Sequence, residues 1–251
     1  MLPAHDDISE RRQALEAVAL AAAGGLLGAL VWRLWGSELQ APPLAVLAVA
    51  AGGAFAADFV SGIVHWIADT WGHETMPVFG RRFLRPFRVH HVNPDDFLRR
   101  RFLDVNGDVA MLTAPILALA HCLPMRGATG QLLAAGVAGF CATILPTNQV
   151  HQWAHQSAPP RWVARLQRLG LILSRPAHLR HHRAPHAANY CIATGWCNPF
   201  LERIQFFRRL ERAVTRWTGL QPRSDDESFR QVFEPSALLN PPDRPDADGN
   251  A

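Results

Sequence analysis

The sequence predicts an all-α membrane protein in which four transmembrane helices carry a cytoplasmic helical cap with a histidine-rich site for two metal ions. Three observations support this fold class. Almost half of the 251 residues are apolar, and they are concentrated in four long stretches. Arginines crowd some of the segments between these stretches and are nearly absent from others. Nine of the twelve histidines lie in or beside short clusters that follow the apolar stretches.

Each of the four apolar stretches approaches the ~20 residues that cross a bilayer as a helix. We expect the spans at about residues 13–35, 44–67, 108–125 and 131–153. The last two contain Pro115 and Pro146, which membrane helices tolerate because neighbouring helices satisfy the freed carbonyl groups. Four buried helices of a soluble bundle are the alternative. Against it, residues 15–31 contain only Glu16 where a soluble helix has a polar stripe.

The arginines predict the orientation in the membrane. All 25 basic side chains are arginine; residues 72–107 hold seven of them, whereas residues 36–43 hold none. By the positive-inside rule, the N-terminal tail at 1–12 and the segments 72–107 and 156–220 are cytoplasmic. Every histidine cluster then lies on one face of the membrane. An anionic cytoplasmic leaflet accounts for the basic composition, and we expect no nucleic-acid partner.

The predicted cap and tail follow the fourth span. Residues 161–172 and 198–220 have helical periodicity, with Arg on one side and Trp, Leu, Phe or Ile on the other. This pattern predicts amphipathic helices that pack against the bilayer or against the cap. From residue 221 onward Pro, Asp and Ser dominate, so we expect a polar, partly disordered and cytoplasmic tail over 221–251.

The histidine spacing predicts a metal site. Imidazole is the commonest neutral metal ligand, and residues three or four apart share one face of a helix. The chain contains HxxxH at 151–155 and HxxHHxxxH at 178–186. The candidate ligands, enough for two ions with four or five each, are His65, His90, His91, His151, His155, His178, His181, His182 and His186.

The ligand type narrows the choice of metal. All-imidazole ligation suits Fe, Zn, Cu or Ni. Structural zinc normally uses cysteine, and the four cysteines show no CxxC pairing. A haem held by two histidines is the main rival, but it needs paired histidines at matching depth on facing helices rather than three clusters on one side. Two iron ions fit the pattern best.

Two carboxylates share a helical stripe with His65. Asp69 is one turn away, so it is expected to bind a metal or to orient a neighbouring imidazole. Asp58 lies about 10 Å deeper at the rise of an α-helix. For Asp58 two interpretations stand: support for the site or a substrate channel, and a hydrogen bond to another helix.

Three further polar residues are considered as candidates for the site: Asn148, His121 and His73. Asn148, one turn before His151, is a candidate weak or water-mediated ligand, and its alternative is a hydrogen bond between helices. His121 lies at the far end of the third span, and His73 stands alone beside the 72–107 loop. Neither of these two histidines fits the cluster.

Six short motifs contain the histidines and their neighbours. They are DFVSGIVHWIADTWG at 58–72, RPFRVHH at 85–91, NGD at 106–108, TNQVHQWAH at 147–155, HHRAPH at 181–186 and CIATGW at 191–196. In sequence, order and separation they resemble the Kua family of membrane lipid desaturases. The resemblance covers roughly residues 52–230, and the first span and the tail contribute nothing to it. With the four spans and the cap included, we expect one lipid desaturase domain at 13–220. The motifs at 85–91 and 106–108 are closer to the branch acting on plasmanyl lipids than to the plant branch.

The resemblance implies an O2-dependent diiron desaturase whose histidine pattern is matched by the nine candidates but not by His73. The implied reaction removes two hydrogens from the 1-O-alkyl chain of an ether phospholipid, beside the ether oxygen, and gives a vinyl ether. Electrons are expected from NAD(P)H through cytochrome b5 or a ferredoxin, since the sequence has no flavin or dinucleotide motif. Asn106 and Asp108 also match the family. From their position at the start of the third span, we expect Asn106 to cap that helix and Asp108 to be an acceptor that supports the ligands.

Substrate binding and three alternatives remain open at this level. Arg85 and Arg88 are candidates to bind a phosphate headgroup. The alternatives are an acyl-lipid desaturase or hydroxylase on the same diiron site, a non-catalytic haem- or metal-binding membrane protein, and a zinc hydrolase. Analysis of the lipid products separates the acyl-lipid enzyme from a plasmanyl desaturase. A haem absorption band would identify a haem protein, and activity without O2 would identify a zinc hydrolase.

Overall fold

Over the residues that the structure describes, the chain consists of helices and connecting loops. A computed structural model describes residues 9–73, 76–77, 79–183 and 186–223, so the predicted tail lies almost wholly outside the described part. A π-helical turn, Gly80–Leu84, precedes the third α-helix. The α-helices are α1 (Glu10–Trp35), α2 (Pro43–Thr70), α3 (Arg85–Val92), α4 (Pro94–Arg99), α5 (Phe102–Ala120), α6 (Ala128–Ile144), α7 (Thr147–His155), α8 (Arg161–Arg168), α9 (Arg175–His181), α10 (Asn198–Arg203) and α11 (Phe206–Thr218).

Four helical runs are long and apolar enough to cross a membrane. They are α1, α2, α5 and the run Ala128–His155 that α6 and α7 form together. Large apolar side chains point outward from them; Val18, Leu44 and Leu119 are 66%, 78% and 73% exposed. Such a surface requires an apolar environment around it. The four spans expected from the composition are therefore confirmed as helices.

The third and fourth spans differ from their predicted limits. α5 covers Phe102–Ala120 rather than 108–125, because Asp104 and Asn106 in its first turns hide the start of the helix from a hydropathy criterion. The fourth span is interrupted at Pro146, whose ring removes a backbone donor, and it continues as α7.

Both predicted cap helices are shorter than expected. The first ends at Arg168 instead of residue 172. The segment 198–220 is divided into α10 and α11 by Gln205, which adopts a left-handed backbone conformation with φ 52°. A helix cannot continue through such a residue, so the amphipathic pattern extends over two shorter helices.

α1 and α5 run in the same direction. Near their starts Arg12 forms an ion pair with Asp108, and at their other ends Arg33 donates to the carbonyl oxygen of His121 at 2.7 Å. Their shared core consists mainly of small residues and leucine, including Ala23 and Leu117, which are completely buried.

α2 and α6 pack at very short range. A Cβ atom added to Gly53 would meet the backbone of Gly136, and one added to Gly139 would meet the backbone of Ala50. Small residues let two membrane helices approach closely and gain van der Waals contact. At the starts of both helices, the buried Gln131 accepts hydrogen bonds from the backbone N–H groups of residues 40 and 41.

The loop after α9 descends along α2. It crosses the helix at Gly62, where an added Cβ would lie 2.5 Å from the sulfur of Cys191. The backbone N–H of Ile192 donates to Ser61 Oγ at 3.0 Å. These contacts fix the loop against the helix that carries His65, and this attachment gives the site its shape.

Candidate metal centre

Four separate helices deliver histidines to one end of the bundle. His65 comes from the last turns of α2, the 90–91 pair from α3, the 151/155 pair from α7, and the last cluster from α9 and the loop after it. Ser174 precedes α9 and its hydroxyl accepts the backbone N–H of Ala177, so the helix that presents His178 and His181 has a side-chain cap. The structure therefore brings together histidines that are up to 121 residues apart in sequence.

Five histidines form the first group. One nitrogen from each of His90, His151, His155, His178 and His182 lies within 4.8 Å of the others. His178 is central: its Nε2 is 3.0 Å from that of His151, 2.8 Å from that of His155 and 3.0 Å from that of His182. A single imidazole nitrogen cannot make three hydrogen bonds of this kind, but several such nitrogens can surround one cation.

The second group contains His65, His90, His91 and His181, so His90 belongs to both groups. The Nε2 atoms of His91 and His181 are 3.0 Å apart. Asp69 completes the group: its Oδ2 lies 3.3 Å from Nε2 of His65, 3.3 Å from Nε2 of His181 and 3.7 Å from Nε2 of His91. This carboxylate faces the imidazoles directly.

His186 lies beside the second group. Its buried ring stacks on His91 with 4.5 Å between centroids and 9° between planes. It is outside both sets of nitrogens that converge within 4.8 Å. Eight of the nine candidate histidines thus converge, and the ninth packs against one of them.

Backbone carbonyls orient two of the candidate ligands. His65 Nδ1 lies 3.0 Å from the carbonyl oxygen of Tyr190, and His181 Nδ1 lies 2.9 Å from that of Ala188. A carbonyl oxygen can only accept, so Nδ1 donates and the unprotonated Nε2 of each ring faces the cluster. Such a partner fixes both the tautomer and the orientation of a metal ligand.

Burial keeps four of these imidazoles neutral. Desolvation, followed by the charges of neighbouring histidines, lowers the pKa of His90, His91 and His178 well below the usual range, and desolvation lowers the pKa of His182 to about 2. Neutral imidazoles offer lone pairs, as metal ligands must. The Nε2 atom of His90 is buried without a hydrogen-bond partner. The residues present therefore fit divalent transition-metal ions.

Asp58 has a different role from Asp69. Its carboxylate accepts the backbone N–H groups of Thr194, Gly195 and Cys197 at 2.7, 2.8 and 2.9 Å. Non-helical backbone at membrane depth needs such partners. These hydrogen bonds go to a loop rather than to another helix, and Asp58 anchors the loop that carries the Tyr190 carbonyl beside His65.

Asn106 and Asn148 connect α5 with α7. Asn106 Oδ1 accepts the backbone N–H of Gln149 at 3.2 Å, and Asn148 Nδ2 donates to the carbonyl oxygen of Val105 at 2.6 Å. The expected capping role of Asn106 is wrong, because α5 begins four residues earlier. For Asn148 the structure shows the hydrogen bond between helices that was its alternative role.

Two of the three remaining charged candidates do not have their expected roles. Asp108 is exposed and pairs with Arg12, so it does not support the ligands as expected. Arg88 is 1% exposed and donates to the carbonyl oxygens of Trp71 and Gly72 at 2.8 and 2.7 Å. It therefore holds the end of α2 and cannot bind a lipid headgroup at the surface. Arg85 is half-buried.

His73 and His121, which do not fit the sequence pattern, belong to neither histidine group. His73 is exposed. His121 is at the opposite end of the bundle, with its Nε2 3.0 Å from the carbonyl oxygen of Leu26. Sequence reasoning missed the carbonyls of Tyr190 and Ala188 and also Phe97, whose ring lies 5.0 Å from that of His151. No residue type or spacing marks a carbonyl as a partner, so these contacts had no signal to find.

A groove of about 630 Å³ opens beside the anchored loop. Its mostly apolar walls include Phe55, Ile172, Ala177, Trp196 and Pro199. Ala177 precedes His178 directly, whereas Phe55 is ten residues before His65, about 15 Å along α2. The groove therefore has one wall at the residue next to His178 and another inside the membrane-spanning part of α2.

Comparison with known proteins identifies relatives for this architecture. The family described as lipid desaturase domain matches residues 54–225. The chain is 42% identical over 214 residues to plasmanylethanolamine desaturase of Myxococcus xanthus, covering 85% of this chain and 76% of that protein. It is 44% identical over 211 residues to plasmanylethanolamine desaturase 1 of Mus musculus, covering 82% and 78%.

A plant relative is more distant. The chain is 35% identical over 192 residues to fatty acid desaturase 4, chloroplastic, of Arabidopsis thaliana, covering 75% of this chain and 57% of that protein. No solved structure matches the chain. The matched family region begins in α2 and includes every histidine of both groups.

Proposed function

Because this chain belongs to the lipid desaturase family, we propose that it is an O2-dependent diiron desaturase of a membrane ether phospholipid. The reaction converts the 1-O-alkyl chain of a plasmanylethanolamine-type lipid into a vinyl ether. Two hydrogens leave adjacent carbons, O2 is reduced to two waters, and two electrons and two protons are taken up. The enzyme is an oxidoreductase, and the similarity to plasmanylethanolamine desaturases from a bacterium and a mouse supports the lipid class.

The observation that carries the proposal is the convergence of two ligand groups that share His90. The first group is built from imidazoles alone, and the second includes the Asp69 carboxylate. Each group offers four or five ligand atoms, a number that suits one ion. We therefore assign one iron ion to each group. Bound iron and O2 supply the oxidising power that no side chain has for an unactivated chain.

The other residues prepare the site. The carbonyl oxygens of Tyr190 and Ala188 hold the Nε2 lone pairs of His65 and His181 toward the second group. Asp58 fixes the loop on which the first of these carbonyls lies. Burial of the rings excludes water, which protects the reaction from side products and strengthens the electrostatic interactions inside the site.

The substrate is a membrane lipid, and we propose that the groove beside the loop holds part of its chain. Its walls are mainly apolar, and it reaches from Ala177 to the depth of Phe55. A Trp in place of Ala177 is expected to narrow the groove near His178 and to slow product formation several-fold while iron content stays unchanged. Equal rates of product formation for Ala177→Trp and wild type would show that the groove does not hold the lipid chain.

Orientation and electron supply complete the proposal. The arginine distribution supports a cytoplasmic position for both termini and for all histidine clusters. The proposed domain at 13–220 then lies between a short N-terminal tail, 1–12, and the polar tail, 221–251. Electrons are proposed to come from NAD(P)H through cytochrome b5 or a ferredoxin, which meets the site from the cytoplasm.

An acyl-lipid desaturase or hydroxylase on the same site is the second candidate, favoured by the 35% identity to the plant fatty acid desaturase. One experiment separates the two. Cells expressing the chain receive an isotope-labelled 1-O-alkyl lipid and a labelled fatty acid, and their lipids are analysed by mass spectrometry. We expect an acid-labile vinyl ether from the first label; new unsaturation or hydroxylation only in the second would establish the alternative.

A further inference from the structure

A group of buried aromatic side chains adjoins the second histidine group. Tyr190, the only tyrosine of the chain, and Trp66 are each 3% exposed. Both rings pack on Phe207, with centroid distances of 4.8 Å from Tyr190 and 5.6 Å from Trp66. Trp66 also contacts Trp71 edge to face at 4.6 Å, and Trp71 is half-exposed at the end of α2.

The same aromatic group touches the proposed ligands. The Tyr190 ring lies 5.3 Å from the ring of His181 and 5.9 Å from that of His65. Close ring contacts therefore run from the second histidine group through Tyr190, Phe207 and Trp66 to Trp71 at the surface. We call this set of four aromatic residues the aromatic relay.

Trp66 has a proton acceptor in contact. Its indole N–H donates to Oε1 of the buried Glu211 at 3.2 Å, while the other oxygen of Glu211 accepts from Arg208 at 2.9 Å. An indole that loses an electron becomes strongly acidic, so a carboxylate at its nitrogen makes the oxidation easier. Packing alone accounts for the rings, but a buried carboxylate is costly and needs a specific reason at this place.

The redox chemistry of these side chains determines in which direction electrons can pass through the relay. Tyrosine and tryptophan are the side chains most easily oxidised by one electron through an aromatic ring, and neither is reduced at biological potentials. The relay therefore suits the transfer of an electron from Trp66 to a strong oxidant at the metal centre. It does not suit the supply of electrons for turnover, which come from a reducing carrier.

We propose that the aromatic relay discharges the centre when O2 has reacted there and no lipid is bound. This inference rests on the proposed function. One electron leaves Trp66, by way of Tyr190, and reduces the one-electron oxidant generated from O2, while the Nε1 proton moves to Glu211 Oε1 and leaves a neutral indolyl radical. At Trp71 a small thiol or ascorbate-type reductant returns the electron, and the proton returns from Glu211. The histidine ligands are thereby spared from oxidation.

The test uses the full chain, loaded with ferrous iron, reduced with dithionite and mixed with O2 without lipid. Freeze-quench electron paramagnetic resonance follows radicals, and peptide mass spectrometry locates oxidised side chains. In wild type we expect a tryptophan radical and oxidation at Trp66 and Trp71. In Trp66→Phe and Tyr190→Phe we expect that radical to be lost and oxidation of His65 and His181 to rise several-fold over repeated cycles.

Two further variants separate this role from packing. Glu211→Gln keeps a hydrogen-bond acceptor for the indole but is a poor proton acceptor, so the neutral radical should disappear although the fold is retained. Trp217→Phe, at an 82% exposed position of α11, should behave as wild type. An unchanged radical and unchanged histidine oxidation in Trp66→Phe and Glu211→Gln would overturn the proposal.

A parallel reaction with vesicles of 1-O-alkyl phosphatidylethanolamine separates this proposal from the function on which it rests. Absence of vinyl ether from the wild type defeats the proposed function. Vinyl ether formation combined with equal damage to the histidines in wild type and Trp66→Phe defeats the relay alone.

Discussion

Gln131 and His178 are both completely buried polar side chains, but their surroundings are opposite. Gln131 Oε1 accepts two backbone N–H groups at 2.9 and 3.0 Å, and its Nε2 donates to the carbonyl oxygens of Glu38 and Met125 at 2.8 and 3.0 Å. His178 instead meets three other imidazole nitrogens at 2.8–3.0 Å. Every donor at Gln131 faces an acceptor, whereas at His178 like atoms face one another.

This difference separates a structural polar group from a ligand. A buried amide with all its hydrogen bonds made contributes to the stability of the fold. Gln131 does so by joining the loop before α2 to the loop before α6. Nitrogen atoms that converge without enough protons to share can surround a cation as ligands. Chemistry is therefore expected at the histidine end, and effects on stability at the Gln131 end.

The largest effect is expected at His178. His178→Ala should lower vinyl ether formation by at least about 100-fold and reduce the iron content, because it removes the ring at the centre of the first group. Lipid mass spectrometry and elemental analysis of the purified protein measure both. The matched control is His121→Ala at the opposite end, which should keep iron and activity. Full iron content in His178→Ala would break the comparison.

The next largest effect is expected at Asp69, which is compared with Asp58 on the same helix, α2. Asp69→Asn should lower iron affinity of the second group and activity by about 10- to 100-fold, because the neutral amide loses the charge that faces three imidazoles. The measurement is an iron titration of the apoprotein followed by an activity assay. Wild-type affinity in this variant would show that Asp69 merely packs beside the site.

Asp58→Asn is the counterpart of that variant. We expect it to lower the free energy of unfolding by about 1–3 kcal/mol, because one side-chain oxygen that accepts loop N–H groups becomes a donor. Thermal or denaturant unfolding in detergent gives the change. Iron content at low temperature should stay near that of wild type; a loss of iron with no loss of stability would assign Asp58 to the metal site.

The smallest effect on chemistry is expected at Gln131. Gln131→Leu leaves the backbone N–H groups of residues 40 and 41 without their acceptor and should cost about 1–3 kcal/mol of stability. Activity per folded protein should not change. A variant that unfolds like wild type but loses iron would contradict the distinction between the two ends.

The sequence predicted the elements that depend on composition. Lipid-facing helices need long apolar stretches, so the four spans were recognisable, and α1 was placed within three residues at each end. The start of α5 was missed because Asp104 and Asn106 lie inside its first turns. Hydropathy records what faces lipid, whereas Asp104 pairs with Arg101 and Asn106 faces α7.

The site was predictable where the spacing of histidines in the sequence places their rings on one face of a helix. HxxxH on α7 and the cluster on α9 place rings on one helix face, and eight of the nine histidines converge as expected. Asp58 and Asp69 occupy the same stripe of α2, so periodicity cannot separate them. What separates them is their partners: Asp58 meets backbone N–H groups of the loop at 194–197, which has no periodic pattern, and Asp69 meets imidazoles from three different helices.

The central claim is that the converging histidines hold two iron ions, and the most direct measurement is the iron content of the purified full chain combined with its Mössbauer spectrum. The account predicts about two iron ions per chain with the spectrum of a spin-coupled pair, and a lower content in His178→Ala but not in His121→Ala. A haem absorption band, a single ion per chain, or zinc in place of iron in an active preparation would contradict it.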